Sequence, residues 1–188
     1  MPDLFDFSSF PVLQTSRLTL RRMTLDDADS MMRLFGDARV LTYLNQAPMD
    51  TREKALEFID WLRGNYERHE AIDWTITTHD GDFVGMCGLY QWNRNDRRID
   101  LGYHILPDVW GRGYATEATH AMLGWGFAAL DLHRVQADCT DGHGASERVL
   151  LKCGFTLEGI WRESCFEHGR FVNIRQFGLL RREYNQPD

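Results

Sequence analysis

The sequence lacks any apolar run that approaches the roughly 18 residues of a membrane-spanning helix, and its beginning lacks the basic and apolar segments of a secretory signal. We therefore expect a soluble, cytoplasmic protein without a membrane partner. Repeats and low-complexity segments are also absent. The 188 residues are enough for one domain, residues 1–188, that buries a core without the metals or disulfides of very small domains.

Cysteine is scarce. The four cysteines show no Cys-x-x-Cys spacing, and each lies in an apolar or mixed segment: Cys87, Cys139, Cys153 and Cys165. We expect free, buried thiols rather than disulfides or metal ligands. The histidines also lack ligand spacing with cysteines or carboxylates, so no metal site is expected.

Basic residues are fewer than acidic residues. The chain has 21 Lys and Arg against 28 Asp and Glu, which gives a formal net charge of −7. Nucleic-acid-binding proteins usually carry a basic face, so this balance argues against a nucleic-acid partner. It is compatible with a cationic substrate, although acidity alone does not establish one.

The most informative stretch runs from Ile99 to Leu130. A strand-like segment closed by Pro107 is followed by Gly111-Arg112-Gly113, and then by apolar residues at helical spacing: Ala118, Met122, Trp125 and Ala129. A helix that begins near Tyr114 would offer unpaired backbone N–H groups and a partial positive charge. Because glycines let a phosphate come close, this stretch predicts a pyrophosphate-binding loop.

Two other nucleotide-binding motifs do not fit this loop. The Rossmann fingerprint needs a third glycine, which neither Thr116 nor Ala118 supplies, and a P-loop needs Gly-Lys-Ser/Thr. The structural alternative is a plain turn that uses its two glycines for left-handed backbone conformations.

The longer run from Trp110 to Ala118, Trp-Gly-Arg-Gly-Tyr-Ala-Thr-Glu-Ala, resembles motif A of the GNAT acetyltransferases in the form of the RimJ/RimL branch, the ribosomal-protein N-terminal acetyltransferases. The phrase Thr-Ser-Arg-Leu-Thr-Leu-Arg at residues 15–21 resembles the opening of the same branch. The Gln/Arg position of motif A is Asp108 here, which is a departure. The resemblance covers nearly the whole chain. It implies an acetyltransferase that moves an acetyl group from acetyl-CoA to a primary amine by direct attack.

Alternating apolar runs predict strands, and periodic apolar segments with capping residues predict helices. With the resemblance, they predict an α+β domain with the GNAT fold: a central, mostly antiparallel mixed sheet flanked by helices. The strands that begin at Ile99 and His133 should form one splayed parallel pair, and Gly102 should mark a bulge or a close approach. Residues 1–13 should form a loosely ordered arm that packs by its phenylalanines.

The resemblance assigns the parts of acetyl-CoA to particular positions. The pyrophosphate would be cradled by Arg112, Gly113, Ala115 and Thr116, with Gly111 shaping the turn. The pantetheine arm would be held by the main chain of His104, Ile105 and Leu106. His143 occupies the family's asparagine position, and it would either contact pantetheine or be a solvated loop residue.

Two residues are candidates for catalysis. Ser146 keeps the serine of the family's Asn-x-x-Ser signature, which implies that it meets the departing thiolate; as a helix N-cap it would have an ordinary structural role. Asp100 lies where relatives often have Glu, and it would take a proton through water or simply face solvent. Some relatives place a catalytic Glu on the closing strand. That position falls closest to Cys165, so neither Glu163 nor Glu167 inherits the role.

The acceptor amine stays open at this stage. A protein N-terminus is one option, and small amines, amino acids and antibiotics are acetylated on the same scaffold. A non-catalytic acyl-CoA-binding regulatory module is the rival class, kept open by Asp108 and His143, which both depart from the family pattern. Because many relatives dimerise, the resemblance also implies a homodimer.

Overall fold

A computed structural model of the protein describes residues 5–185. Its strands, helices and their bounds follow in chain order: β1 (Leu13–Gln14), β2 (Leu18–Arg22), α1 (Ala28–Phe35), α2 (Ala38–Leu41), α3 (Arg52–Glu67), β3 (Ile72–Thr78), β4 (Phe83–Asn93), β5 (Arg98–Ile105), α4 (Tyr114–Ala129), β6 (Arg134–Thr140), α5 (Gly144–Lys152), β7 (Thr156–Glu167) and β8 (Arg170–Leu180). The strands form one sheet in the order β1-β2-β3-β4-β5-β6-β8-β7.

The predicted fold class is confirmed. Every pair of neighbouring strands is antiparallel except β5 and β6, which are parallel and are connected through α4. A parallel pair needs a crossover of this kind, whereas the antiparallel pairs need only short turns. The predicted splay is present too, since β5 and β6 pair at only three positions before they separate.

Two apolar clusters cover the two faces of the sheet. The larger one packs α4 and α5 against residues such as Trp74, Leu89 and Val135, all of which are fully buried or nearly so. The smaller one packs α1 and α3 against Met86 and the end of β5. Side chains alternate between the faces along each strand, so each position of β5 and β6 can be assigned to the α4 face or to the α1 face.

The described part of the N-terminal arm packs through aromatic rings. Phe5 lies edge-on to Trp125, with ring centroids 5.0 Å apart, and Phe10 lies 4.9 Å from Tyr66. The indole N–H of Trp74 donates to the carbonyl of Pro11 at 2.7 Å. These contacts connect residues 5–13 to α3, β3 and α4. Residues 1–4 of the predicted arm lie outside the described part of the chain.

The expectation of a bulge at Gly102 is wrong. Pairing of β4 with β5 is regular from Gly85–Ile105 to Tyr90–Asp100, and the irregularity lies beyond Tyr90. The alternative reason for the glycine holds instead. A Cβ on Gly102 would lie 3.1 Å from the Tyr90 ring, so glycine is needed because that ring lies close over the strand.

The composition leads to three further observations. All four cysteines are free, as expected; Cys87, Cys139 and Cys153 are buried, while Cys165 is partly exposed. Within residues 5–185 no helix has the length and apolar character needed to cross a bilayer. In the same residues, no group of three or more His, Cys, Asp or Glu side chains could hold a metal ion.

Candidate active site

The site begins where β5 and β6 stop pairing. Their last aligned residues are Asp100 and Gln136. Beyond this point β5 continues on β4 as far as Ile105, and β6 continues on β8 as far as Thr140. A wedge-shaped gap therefore opens in the middle of the sheet. Backbone groups that line it have lost the partners that a continuous sheet would provide.

The backbone groups of β5 alternate between β4 and the gap. The N–H of Leu106 donates to the carbonyl of Val84 at 2.9 Å, so it is already engaged on the β4 side. The neighbouring N–H of Ile105 points the other way, into the gap. The Ile105 carbonyl accepts the indole N–H of Trp110 at 2.7 Å. Ile105 therefore offers a donor to a ligand in the gap, whereas the Leu106 N–H does not.

The Gly-Arg-Gly loop lies between the open end of β5 and the start of α4. Gly111 and Gly113 have φ values of 75° and 81°, which is the left-handed region that glycine tolerates best. Gly113 is the N-cap of α4, and no side chain caps that end. The first-turn N–H groups, including those of Ala115 and Thr116, are therefore directed at open space. Apart from Gly111 itself and its two chain neighbours, no atom of residues 5–185 lies within 4 Å of the position that a Gly111 Cβ would take.

Arg17 is a component of this loop that the sequence analysis did not identify. Its guanidinium donates to the carbonyl of Arg112 at 2.9 Å and to the carboxylate of Glu117 at 2.7 Å. One of its nitrogens lies 3.5 Å from the Cβ position of Gly113. Partial burial raises the pKa of Glu117, but hydrogen bonds from Thr15 and Arg17 outweigh it and hold the pKa below its ordinary value. Arg17 thus neutralises an acidic residue in the first turn of α4.

Asp108, the departure from the family pattern, lies on the surface just before the loop. Its carboxylate is 3.4 Å from the guanidinium of Arg33 and 3.3 Å from that of Arg39. Both partners are well exposed, and exposed ion pairs of this kind contribute little stability. Asp108 therefore connects the loop to α1 and α2 through ion pairs, and its carboxylate is not left as an unpaired negative charge beside the loop.

Ser146 lies across the gap from β5 and contacts Tyr103. The two hydroxyl oxygens are 3.0 Å apart, and the Tyr103 hydroxyl also donates to the Ser146 carbonyl at 3.2 Å. The expected N-cap role of Ser146 is wrong, because α5 begins at Gly144 and its N-cap residue is His143. Ser146 is the third residue of the helix, and its hydroxyl is available to Tyr103. Burial raises the pKa of Tyr103, so its hydroxyl stays protonated and can donate.

Two histidines lie near the gap. His143 stacks on Tyr43 with ring centroids 3.9 Å apart and an angle of 11° between the planes, which makes it part of a wall rather than a solvated loop residue. His104 lies 5.2 Å from the ring of Phe35, on the α1 face of the sheet. Burial, assisted by the nearby His143, lowers the pKa of His104 to about 4, so it is neutral at physiological pH.

Asp100 shares the α1 face with His104, because the two are four residues apart on one strand. It lies at the closed end of the gap, and its Oδ1 is buried without a hydrogen-bond partner among the described residues. Burial raises its pKa. Asp138 of β6 lies on the same face, and burial, together with the negative charge of Glu167, raises its pKa as well. Ser146 and Asp100 therefore approach the gap from opposite faces.

No sequence motif predicts the contacts that Tyr103, Tyr43 and Arg17 make. From the sequence, Tyr103 is expected either to line the acceptor pocket or to pack in the core, and no spacing rule connects it to Ser146. Tyr43 falls in a segment without periodicity, so nothing indicated that it would stack on His143. Arg17 had a signal, since it lies in the Thr-Ser-Arg-Leu phrase at the start of β2, but the sequence does not show that β2 begins beside α4.

Comparison with known proteins agrees with this geometry. The domain family described as "Acetyltransferase (GNAT) domain" matches residues 17–156. An uncharacterized N-acetyltransferase, YoaA of Bacillus subtilis (strain 168), is 34% identical over 173 residues, which are 92% of this chain and 98% of YoaA. The match thus extends over the loop, the gap and both faces of the sheet.

Solved structures share the fold. A RimL structure, described as the ribosomal L7/L12 alpha-N-protein acetyltransferase in complex with coenzyme A, has a TM-score of 0.84 at 16% identity and covers 90% of this chain and 98% of its own. The spermidine N-acetyltransferase from Vibrio cholerae, in complex with CoA and spermine, has a TM-score of 0.80 at 20% identity and covers 90% of this chain and 99% of its own.

The buried His104 should make stability depend on pH. Its pKa is about 4 in the folded protein against about 6.5 unfolded, so as pH falls below 6.5 the unfolded chain takes up a proton that the folded chain excludes. The free energy of unfolding should therefore fall by roughly 3 kcal/mol between pH 6.5 and 4 through this residue. Urea unfolding of the parent and of His104→Gln across this range measures the difference.

The matched control is His79→Gln, which removes an exposed histidine. This variant should keep the pH dependence of the parent, whereas His104→Gln should lose part of it. Identical pH dependence in the parent and in His104→Gln would contradict the assignment.

Proposed function

This chain belongs to the GNAT family of acetyltransferases and is an acetyl-CoA-dependent N-acetyltransferase, and on that premise we propose which of its residues carry the reaction. The proposal rests on one observation: the gap between β5 and β6 opens toward the uncapped start of α4. A ligand that combines an extended amide chain with a pyrophosphate meets unpaired strand donors and a helix N-terminus along a single path.

The residues around the gap fit coenzyme A. The pyrophosphate would lie on the backbone N–H groups of the loop, where Gly111 and Gly113 leave room and Arg112 and Arg17 add positive charge. The pantetheine arm would pair with the main chain of β5 at Ile105, because the backbone groups of His104, like the Leu106 N–H, face β4. The Leu106 N–H is engaged with Val84, so the contribution of Leu106 is restricted to its remaining atoms. His143, fixed by its stack on Tyr43, would border the arm.

Acetyl-CoA supplies an activated acetyl thioester. The chain must hold this thioester, donate a proton to the departing thiolate and accept a proton from the attacking amine. Tyr103 orients the hydroxyl of Ser146, which would donate to the departing thiolate from the α4 face. Asp100 would accept the proton of the attacking amine, through water, from the α1 face. A carboxylate with a raised pKa is better matched to this task near neutral pH than an exposed one.

Direct attack by the amine is favoured over a covalent acetyl-cysteine. Burial, with nearby Glu147 and Asp138, raises the pKa of Cys139 to about 11, and burial raises that of Cys153 to about 12. The nucleophile of such a route is the thiolate, which these residues rarely form at neutral pH. A route through either cysteine therefore lacks an activated nucleophile.

The α1 face beside the gap favours a cationic amine as the acceptor. Asp100 and Asp138 both lie on the α1 face beside the gap, and two carboxylates attract an ammonium group electrostatically. The RimL structure is described as an alpha-N-protein acetyltransferase, and other relatives are named for spermidine. A protein N-terminus and a small amine both present the group that this face would bind.

A homodimer through the β7–β8 hairpin completes the proposal. β7 is the edge strand of the sheet, and the hairpin exposes large apolar side chains: Ile160, Trp161, Phe166 and Phe171. Phe166 and Phe171 contact each other edge-on, with centroids 5.0 Å apart. An exposed apolar patch on an unpaired edge strand is typical of a surface that another chain covers.

Gly113→Trp tests the pyrophosphate site. A side chain at φ 81° strains the loop and covers the helix N-terminus, so acetyl-CoA binding should weaken on the order of 100-fold. Calorimetric titration with acetyl-CoA measures the change. The matched control is Gly81→Trp, which imposes the same strain at φ 92° in the distant β3–β4 turn and should bind like the parent. Equal binding by all three proteins would refute the site.

Ser146→Ala tests the thiolate role. Loss of a positioned proton donor should lower kcat about 10- to 100-fold while acetyl-CoA affinity stays near that of the parent. Tyr103→Phe should lower kcat in the same direction, because it releases the Ser146 hydroxyl. Steady-state kinetics with a responsive amine, together with calorimetry, separates the two quantities. An unchanged kcat in Ser146→Ala would remove Ser146 from the mechanism and favour a water in its place.

Sedimentation velocity tests the dimer. The parent should sediment as two chains, and Phe171→Glu should sediment as one, because a charge in the centre of an apolar interface is left unpaired. Trp61→Glu is the control, since Trp61 is similarly exposed but lies on α3. A monomeric parent, or a dimer that survives Phe171→Glu, would exclude this surface.

A further inference from the structure

A cavity of about 240 Å³ lies beside the gap on the α1 face of the sheet. It is open to solvent on one side and is bordered by the segment after α2, the end of β6 and the turn of the β7–β8 hairpin, with Tyr43, Thr140, Glu167 and Arg170 among the lining residues. The volume is several times that of a water molecule, which occupies about 30 Å³. A short chain of carbon and nitrogen atoms fits in this space.

Contacts between the hairpin and the α2 segment hold the cavity open. The Asn45 amide donates to the carbonyl of Phe166 at 2.7 Å, and His168 contacts the carbonyl of Leu41 at 3.1 Å. In the same segment, between Leu41 and Asn45, Tyr43 is stacked against His143, which follows β6. The cavity is therefore part of the folded structure, and binding need not create it.

Glu167 is the buried charged residue of the cavity. Its exposed fraction is only 7%, although the residues on both sides of it are exposed. Within residues 5–185 its hydrogen bonds come from the Thr140 hydroxyl alone, at 3.1 and 3.3 Å from the two carboxylate oxygens. A hydroxyl donates one proton, so at least one carboxylate oxygen lacks a donor at any moment.

A buried carboxylate without a cation is costly unless something compensates it. Arg170 faces Glu167 across the hairpin and lines the same cavity, but the two side chains form no ion pair within the described chain. Asp138 adds to the negative charge, since Glu167 contributes to its raised pKa. Within the described residues, Glu167 thus presents a carboxylate without an ion-pair partner to whatever enters the cavity.

The cavity lies close to the acceptor face of the gap. Asp138 and Thr140 lie two residues apart on β6 with their side chains on the same face, and Thr140 binds Glu167. Two residues of strand span about 7 Å. A substrate that presents one amine to the gap beside Asp100 and Asp138 can therefore extend a second group toward Glu167.

We propose that this cavity is an ammonium subsite of the acceptor, in which Glu167 and Thr140 bind a second cationic group on the molecule whose amine is acetylated. The inference rests on the proposed function and adds to it the charge of the substrate. Glu167 is a specificity-determining residue here and takes no part in proton transfer. The second cation belongs either to a small diamine or to a basic side chain near a peptide N-terminus.

The test compares acceptors that share one reacting amine. Butylamine and 1,4-diaminobutane differ by a single terminal ammonium group, and alaninamide and lysinamide differ in the same way on an amino-acid frame. The parent should prefer the dicationic member of at least one pair by about tenfold or more in kcat/KM, the scale of one hydrogen-bonded charge. CoA release gives the rates, and the pair that shows the preference identifies the source of the cation.

Glu167→Gln should abolish that preference by lowering the rate with the dication, while the rate with the monoamine and the affinity for acetyl-CoA stay near those of the parent. Glu163→Gln, an exposed glutamate on the same strand, is the matched control and should keep the preference. A parent without a dication preference, or a preference that survives in Glu167→Gln, overturns the subsite. Loss of acetyl-CoA binding by the parent would instead be a failure of the proposed function.

Discussion

The short pairing between β5 and β6 is the constraint on which the rest of the structure depends. Three aligned residue pairs are enough to hold the two strands in one sheet, yet each strand runs several residues further with only its outer neighbour. A sheet interrupted in this way exposes backbone donors and acceptors that normally pair with each other. A ligand with its own amides could pair with these groups, and on our proposal the pantetheine arm of coenzyme A would do so.

The position of α4 follows from the same constraint. As the crossover between two parallel strands, it must start near the end of β5, so its N-terminus lies at the mouth of the gap. An acidic residue in the first turn normally stabilises a helix, but there Glu117 would also repel an anion. Arg17 resolves this conflict. Its guanidinium binds Glu117 and faces Gly113, so the helix retains the acidic residue while the loop stays positive.

Much of this arrangement follows from local sequence, and the exceptions share a physical cause. The Gly-Arg-Gly loop, the start of α4 at Tyr114 and the parallel pair depend on glycine positions and apolar periods, which are local signals. The position of Ser146 in its helix was wrong by one helical turn, because Gly144 and Ala145 can occupy the first turn as readily as a loop. That difference decides whether the Ser146 hydroxyl caps its own helix or reaches Tyr103.

The residues that sequence could not identify are those whose role depends on tertiary burial. Glu167 and Glu163 are alike in the sequence, two glutamates on the same predicted strand, yet one is 7% exposed and the other is on the surface. The segment after α2 and Thr140 of β6 both approach the hairpin turn at Glu167, and these tertiary contacts are not visible in the sequence. Arg17 and Glu117 are 100 residues apart in the chain, and no spacing rule relates them.

In the proposed mechanism, the two faces of the sheet would separate the two proton transfers of the reaction. Ser146 and Tyr103 lie on the α4 face, where burial keeps the Tyr103 phenol protonated, so this side can supply a proton to a thiolate. Asp100 and Asp138 lie on the α1 face, where carboxylates attract an ammonium and can receive its proton. On this proposal the amine would arrive on the acidic side, and the gap between the strands is where the two sides meet.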